Sequence, residues 1–186
     1  MRSLPTILTF LRIILTPVFL YLFWQDGLTA LVAAIVVFTI AALSDTFDGY
    51  FARRYGVVSD LGAFLDPIAD KFLIGSVLAA FALKGLVGWW VIVLILGRDL
   101  LVTGLRMMAI KHGLVLSTTW IAKCKTVVQV VAIYGVFCCL IAQEMDPSEL
   151  VAARMSLYIT WVMYGALAFT TYTGIDYVVK YWRLTR

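Results

Sequence analysis

Charge is scarce in this chain. Asp, Glu, Lys and Arg make up 14% of the 186 residues, against about a quarter in an ordinary soluble domain. Hydrophobic residues account for 63% and the mean hydropathy is +0.97. A soluble core of this size cannot hide that much apolar surface, which excludes a water-soluble globular domain. Histidine occurs once, as His112 near a helix end, without a second ligand at metal spacing. The three cysteines, Cys124, Cys138 and Cys139, fall in one apolar stretch, and the adjacent pair is poorly placed to form a bridge. A zinc centre and a disulfide framework are excluded, and the cysteines read as small buried hydrophobes. Also missing are Ser/Pro/Gly-rich linkers, low-complexity tracts and clear repeats, so a single domain over residues 1–186 is expected, with no nucleic-acid partner. The first apolar run lacks an A-x-A cleavage site and is expected to be retained.

What the sequence does have is long uncharged runs: Ile13 to Gln25, Gly27 to Ser44, Thr126 to Gln143 and Met155 to Ile175. Most approach the roughly 20 residues that a helix needs to cross a bilayer. The stretch from Phe72 to Gly97 is broken by Lys84, Gly85 and Gly88 and reads as two helices joined by a turn. The expected architecture is all-α and polytopic, with six transmembrane helices near Ile7–Trp24, Leu28–Arg53, Leu61–Leu83, Val87–Lys111, Thr118–Gln143 and Leu150–Tyr177. Of the 15 Lys and Arg, only Lys84 and Arg154 belong to the face opposite the termini. The positive-inside rule therefore places both termini in the cytoplasm, in a multi-pass protein of the cell (inner, cytoplasmic) membrane. Trp24, Trp89, Trp90, Trp120 and Trp182 fit interfacial belts. Arg12 lies about a turn inside the first apolar run, where it either snorkels to the headgroups or lines a polar cavity.

The few charges are not scattered. Asp45, Asp48, Asp66 and Asp70 interrupt apolar sequence, and carboxylates at membrane depth are costly enough to mark a functional site. On helices, Asp45 and Asp48 are spaced i, i+3 and Asp66 and Asp70 are spaced i, i+4, so each pair shares a face. Four carboxylates around one space need a counter-charge, and hard divalent cations take oxygen ligands of this kind. Gly49 and Ala52 share the phase of the first pair, and Gly62 that of the second, leaving room beside the acids. Interhelical salt bridges to Arg53, Arg54 and Lys71 would account for the acids but not for those small residues.

The pattern Asp45-x-x-Asp48-Gly49-x-x-Ala52-Arg53, then eight residues, then Gly62-x-x-x-Asp66-x-x-x-Asp70 resembles the signature of the CDP-alcohol phosphotransferases at every fixed position. The resemblance implies six transmembrane helices, usually in a homodimer, and a polar cavity open to the cytoplasm. It implies displacement of CMP from a CDP-linked alcohol by the hydroxyl of a second alcohol. Carried over, Asp45, Asp48 and Asp66 would bind one or two Mg²⁺ or Mn²⁺ ions. Asp70 would share that shell and act as catalytic base. Gly49, Ala52 and Gly62 would make room for the nucleotide, Arg53 would contact its phosphates, and Thr46 would touch it as well.

Further on, Arg98, Asp99 and Arg106 interrupt the fourth span, and Lys123 and Lys125 enter the fifth. Arg98 and Asp99 read as a structural pair. Arg98 and Arg106 lie a little over two turns apart and can face one cavity. Four cations exceed what Asp99 balances, which implies an anionic acceptor bearing a phosphate. Arg98-Asp99 through Leu105-Arg106, Trp120-x-x-Lys123-x-Lys125-Thr126, Asp66-Pro67-Ile68-Ala69-Asp70-Lys71 and Leu4-Pro5-Thr6-x-Leu8-Thr9-x-x-Arg12 are similar to segments of the phosphatidylglycerophosphate synthases. That resemblance, over roughly two-thirds of the chain, implies CDP-diacylglycerol as donor and sn-glycerol 3-phosphate as acceptor. The chain departs from it at Leu4, Thr6 and Asp99, which leaves inositol phosphate, serine and phosphatidylglycerol as alternative acceptors. A divalent-cation transporter is the alternative from another class, since intramembrane acids also line ion paths. A non-catalytic scaffold is a third. Tyr158, Tyr164, Tyr172, Tyr177 and Tyr181 read as packing and interface residues, and Asp176 with Lys180 as an i, i+4 surface pair.

Overall fold

The computed structural model describes the backbone over residues 4–55, 60–111 and 120–185, and side chains over 10–44, 71–109 and 124–184. These residues form six helices and no strand: α1 (Leu4–Phe23), α2 (Leu28–Tyr55), α3 (Asp60–Leu83), α4 (Trp89–Lys111), α5 (Trp120–Met145) and α6 (Glu149–Thr185). Five of the six match the expected spans to within about three residues at either end. The sixth continues eight residues past the expected Tyr177. Charge ended the apolar run there but did not end the helix, and Lys180 Nζ meets Asp176 Oδ2 at 2.6 Å one turn back, an i, i+4 pair compatible with continued helix.

The chain divides into two compact units, Met1–Ala80 and Phe81–Arg186. In the first, α1 and α2 pack as a hairpin through a short turn at Gly27, whose φ of 99° is one that glycine adopts without strain. Every third or fourth residue is buried: Arg12, Thr16, Phe19 and Phe23 on α1, then Leu31, Ala34, Phe38, Ala41 and Ser44 on α2. Phe19 touches both Phe23 on its own helix and Phe38 across on α2, with ring centres 5.5 and 6.1 Å apart. Counting helical rise from that Phe19–Phe38 contact, seven residues back along α1 and six on along antiparallel α2, puts Arg12 level with Ser44, the residue before Asp45. Arg12 is fully buried, so it does not snorkel to the headgroups.

In the second unit α6 packs against both α4 and α5. The α5–α6 turn is capped by its own sequence: Ser148 Oγ accepts from the Val151 amide at 3.4 Å, and Asp146 Oδ1 accepts from the Ser148 amide at 3.2 Å. Gly85, at φ 72°, makes the turn before α4. Phe81, at the end of α3, meets Phe137 of α5 edge-on at 5.4 Å.

Many large apolar side chains among the described residues are exposed, Ile14, Tyr21, Val93, Val131, Leu157 and Trp161 among them, and hydrocarbon rather than water accommodates such a surface. Two helical stretches, Cys124–Met145 and Glu149–Leu184, are long and apolar enough to cross a membrane, and only 28% and 22% of their most apolar windows are buried. So little burial separates them from the core helices of a soluble protein. Trp24, Trp89, Trp90 and Trp182 are exposed. The cysteines depart from expectation. Cys138 is exposed, Cys124 and Cys139 are half-buried, and all three are free, because an apolar outer surface gives small hydrophobes as good a place as the core.

Candidate active site

The buried stripe of α6 changes character along its length. Ile159, Met163 and Ala166 are followed, at the same alternation of three and four residues, by Thr170, Thr173 and Tyr177. Charged residues of α4 and α5 gather where the stripe turns polar. Arg98 Nη2 donates to Thr173 Oγ1 at 2.7 Å and Arg98 Nη1 to Asp99 Oδ1 at 3.1 Å. Lys125 of α5 forms an ion pair with the other oxygen, Asp99 Oδ2. The side chains of Arg98, Asp99 and Lys125 are only 12%, 9% and 15% exposed. Two cations thus share one carboxylate away from solvent, where such a group is held by mutual pairing. Further along α4, Arg106 Nε donates to Tyr177 Oη at 3.4 Å, and its guanidinium carbon lies 6.0 Å from the centre of that ring.

Of the four cations expected to meet a phosphate, the structure brings Arg98 and Lys125 together around Asp99, while Arg106 lies a little over two turns further along α4, against Tyr177 of α6. The Lys123 side chain lies outside the described residues. Asp99 is more than the partner of its neighbour, since it ties α4 to α5. Thr173 and Tyr177 escaped the sequence reading, in which Tyr177 was a packing residue. The available signal was the polar run Thr170, Thr173, Tyr177 at core spacing inside an uncharged span. Some donor capacity remains. Arg98 Nε, Gln129 Nε2 and Thr170 Oγ1 are buried without a hydrogen-bond partner among the described residues, and groups of this kind are ordinarily satisfied by water or ligand. Gln129 stands one turn from Lys125 on α5.

Sequence comparison decides what kind of protein carries these features. Residues 2–172 match the family model for CDP-alcohol phosphatidyltransferase. The chain belongs to that family. Within it, the chain is 43% identical over 181 residues to a "Probable phosphatidylglycerophosphate synthase" of Mycobacterium tuberculosis strain H37Rv, covering 96% of this chain and 81% of the relative. It is 32% identical over 194 residues to a "CDP-diacylglycerol–glycerol-3-phosphate 3-phosphatidyltransferase" of Bacillus subtilis strain 168, covering 98% and 96%. The protein of the same name in Escherichia coli K12 is 35% identical over 136 residues, covering 70% and 74%.

In this CDP-alcohol phosphatidyltransferase, the stretch that carries the family resemblance spans the end of α2 and the start of α3. Asp45, Thr46, Asp48, Gly49, Ala52 and Arg53 occupy the last three turns of α2, and Gly62, Asp66 and Asp70 the first three of α3. Their side chains lie outside the described residues. The backbone meets the condition on which the spacing argument rests, since both acid pairs stand on continuous helix. An all-carboxylate donor set of this kind fits a hard divalent cation. Among the described residues, no group of three or more His, Cys, Asp or Glu side chains could hold a metal ion.

Proposed function

We propose that this protein transfers the phosphatidyl group of CDP-diacylglycerol to sn-glycerol 3-phosphate, giving phosphatidylglycerophosphate and CMP. What supports the reading most is the likeness to curated enzymes named for this reaction over nearly the whole chain. The buried cation cluster adds a physical reason for an acidic acceptor. Serine carries no phosphate for Arg98 and Lys125 to hold, and phosphatidylglycerol and inositol phosphate would bring bulkier groups to the same place.

In the proposed reaction, the acceptor hydroxyl attacks the phosphatidyl phosphorus as the bond to the CMP oxygen breaks. Asp70 takes the hydroxyl proton, a role worth about 10²–10⁴-fold in rate. Asp45, Asp48, Asp66 and Asp70 would hold one or two Mg²⁺ or Mn²⁺ ions, which when bound neutralise charge developing on the diphosphate. Thr46, Gly49, Ala52 and Gly62 accept the cytidine nucleotide against backbone and small side chains, and Arg53 binds its phosphates. Arg98, Arg106, Lys123 and Lys125 bind the acceptor phosphate. Arg12, buried on α1 level with Ser44, supplies positive charge near the first acids.

The proposal extends to setting. All six helices span the cell membrane with both termini and the polar cavity on the cytoplasmic side, so that the donor's acyl chains stay in the bilayer. Residues 1–186 are one catalytic domain, working as a homodimer. The deciding experiment follows CMP release by purified protein from CDP-diacylglycerol with each acceptor. Turnover fastest with sn-glycerol 3-phosphate is expected. Faster turnover with serine, inositol phosphate or phosphatidylglycerol overturns the acceptor, and metal flux into sealed vesicles without CMP release overturns the enzyme.

A further inference from the structure

Arg98 does not simply reach towards α6; its stem lies across the α6 backbone at one glycine. A Cβ placed on Gly174 would come within 2.8 Å of Arg98 Cγ, 2.9 Å of Nε and 3.4 Å of Cδ. Contacts below 3.0 Å are essentially absent between real Cβ atoms and their neighbours. Two of the crowded atoms, Cγ and Cδ, belong to the aliphatic stem and the third is the guanidinium Nε next to it, so moving the Nη tip alone would not relieve them. Gly174 is buried within helix, where glycine costs about 1 kcal/mol relative to alanine. Passage of Arg98 is the local reason the chain keeps one there.

The residue before it holds the tip. Thr173 Oγ1 has one proton, which it donates to the Thr170 carbonyl at 2.8 Å. Its oxygen is thereby turned to accept from Arg98 Nη2 at 2.7 Å. With Nη1 on Asp99 at 3.1 Å, the guanidinium plane is fixed from two helices. These bonds occupy two of its five N–H donors, leaving others for an anion. One turn along, Tyr177 does the corresponding work for Arg106 through its hydroxyl and ring face. Thr173, Gly174 and Tyr177 all lie beyond residue 172, where the family match ends.

We propose that Thr173, Gly174 and Tyr177 are positioning residues. In this assignment the end of α6 sets the pose of Arg98 and Arg106, and through them the affinity for the acceptor's phosphate. The inference rests on the acceptor reading above but is separable from it. An arginine whose plane is preset loses less freedom on meeting a phosphate, so loosening it weakens acceptor binding and leaves the donor untouched.

The test is steady-state CMP release by the full chain in mixed micelles, varying sn-glycerol 3-phosphate at saturating CDP-diacylglycerol and then the reverse. Thr173→Val keeps the shape and removes the acceptor oxygen. It is expected to raise KM for sn-glycerol 3-phosphate about tenfold while KM for CDP-diacylglycerol and kcat stay within about twofold. Thr173→Ser keeps the oxygen and is expected to restore the wild-type value. Gly174→Ala should raise the acceptor KM further still. Wild-type kinetics in Thr173→Val, an equal rise of both KM values, or failure of Thr173→Ser to recover would each overturn the inference. Should Gly174→Ala not fold, the Thr173 pair decides. If wild type releases no CMP with sn-glycerol 3-phosphate, the acceptor reading fails first. The same Thr173 comparison is then run with whichever phosphorylated acceptor supports turnover, and an acceptor without phosphate overturns the inference too.

Discussion

Neutralising Asp99 should harm the protein more than neutralising Asp99 and Lys125 together. The carboxylate binds Arg98 through one oxygen and Lys125 through the other, with all three side chains between 9% and 15% exposed. In Asp99→Asn the amide keeps one acceptor oxygen for Arg98 but turns a donor towards the Lys125 ammonium, leaving two cations facing each other out of water. Removing one partner from a buried ion pair costs about 3–5 kcal/mol. Because the amide still accepts one hydrogen bond, a loss of about 2–4 kcal/mol is expected here. Lys125→Met leaves Asp99 paired with Arg98 and should cost less. Asp99→Asn combined with Lys125→Met removes the repulsion and should be more stable than Asp99→Asn alone, with a coupling of about 1–3 kcal/mol. The assay is the midpoint of heat-induced loss of the monodisperse peak for the four purified proteins in one detergent. A double variant less stable than Asp99→Asn, or strictly additive effects, would refute the shared-carboxylate reasoning.

Asp70→Asn should lower CMP release by at least about 10²-fold while folding and nucleotide binding largely persist, since the amide keeps one oxygen for a metal ion, alongside three carboxylates, but cannot take the proton; near-normal turnover would remove Asp70 as the base. Chelation with EDTA should stop CMP release, and Mg²⁺ or Mn²⁺ should restore it; turnover that survives exhaustive chelation would count against the carboxylate metal site. Arg12→Met should depress turnover by more than about tenfold even at saturating substrates, because a fully buried guanidinium level with Ser44 contributes field rather than surface charge; wild-type rates would make it a structural residue only.

The helices and the acid motif were legible in the sequence, for related reasons. A helix that crosses hydrocarbon must satisfy its own backbone and present some 20 apolar residues, so its position is written in a contiguous run. The glycines at 85 and 88 mark the break between α3 and α4 in the same local way. The spacing of Asp45, Asp48, Asp66 and Asp70 is equally local, and needs only that both segments be helical, as they are. Where sequence reasoning faltered, the missing information lay across helices. Whether Arg12 snorkels depends on what α2 places opposite it. Whether the cysteines are buried depends on which side of α5 meets α6.

By itself the amino-acid order determined the all-helical architecture, the approximate bounds of the helices, the aspartate spacing and the family. Each is carried by residues near one another along the chain. Tertiary structure alone decided that Asp99 joins Arg98 to Lys125, that Arg12 is buried, and that Thr173, Gly174 and Tyr177 seat two arginines more than 70 residues away. Hydrophobicity and helical period act within a turn or two, whereas a shared carboxylate or a side chain crossing a glycine exists only once separate helices have packed.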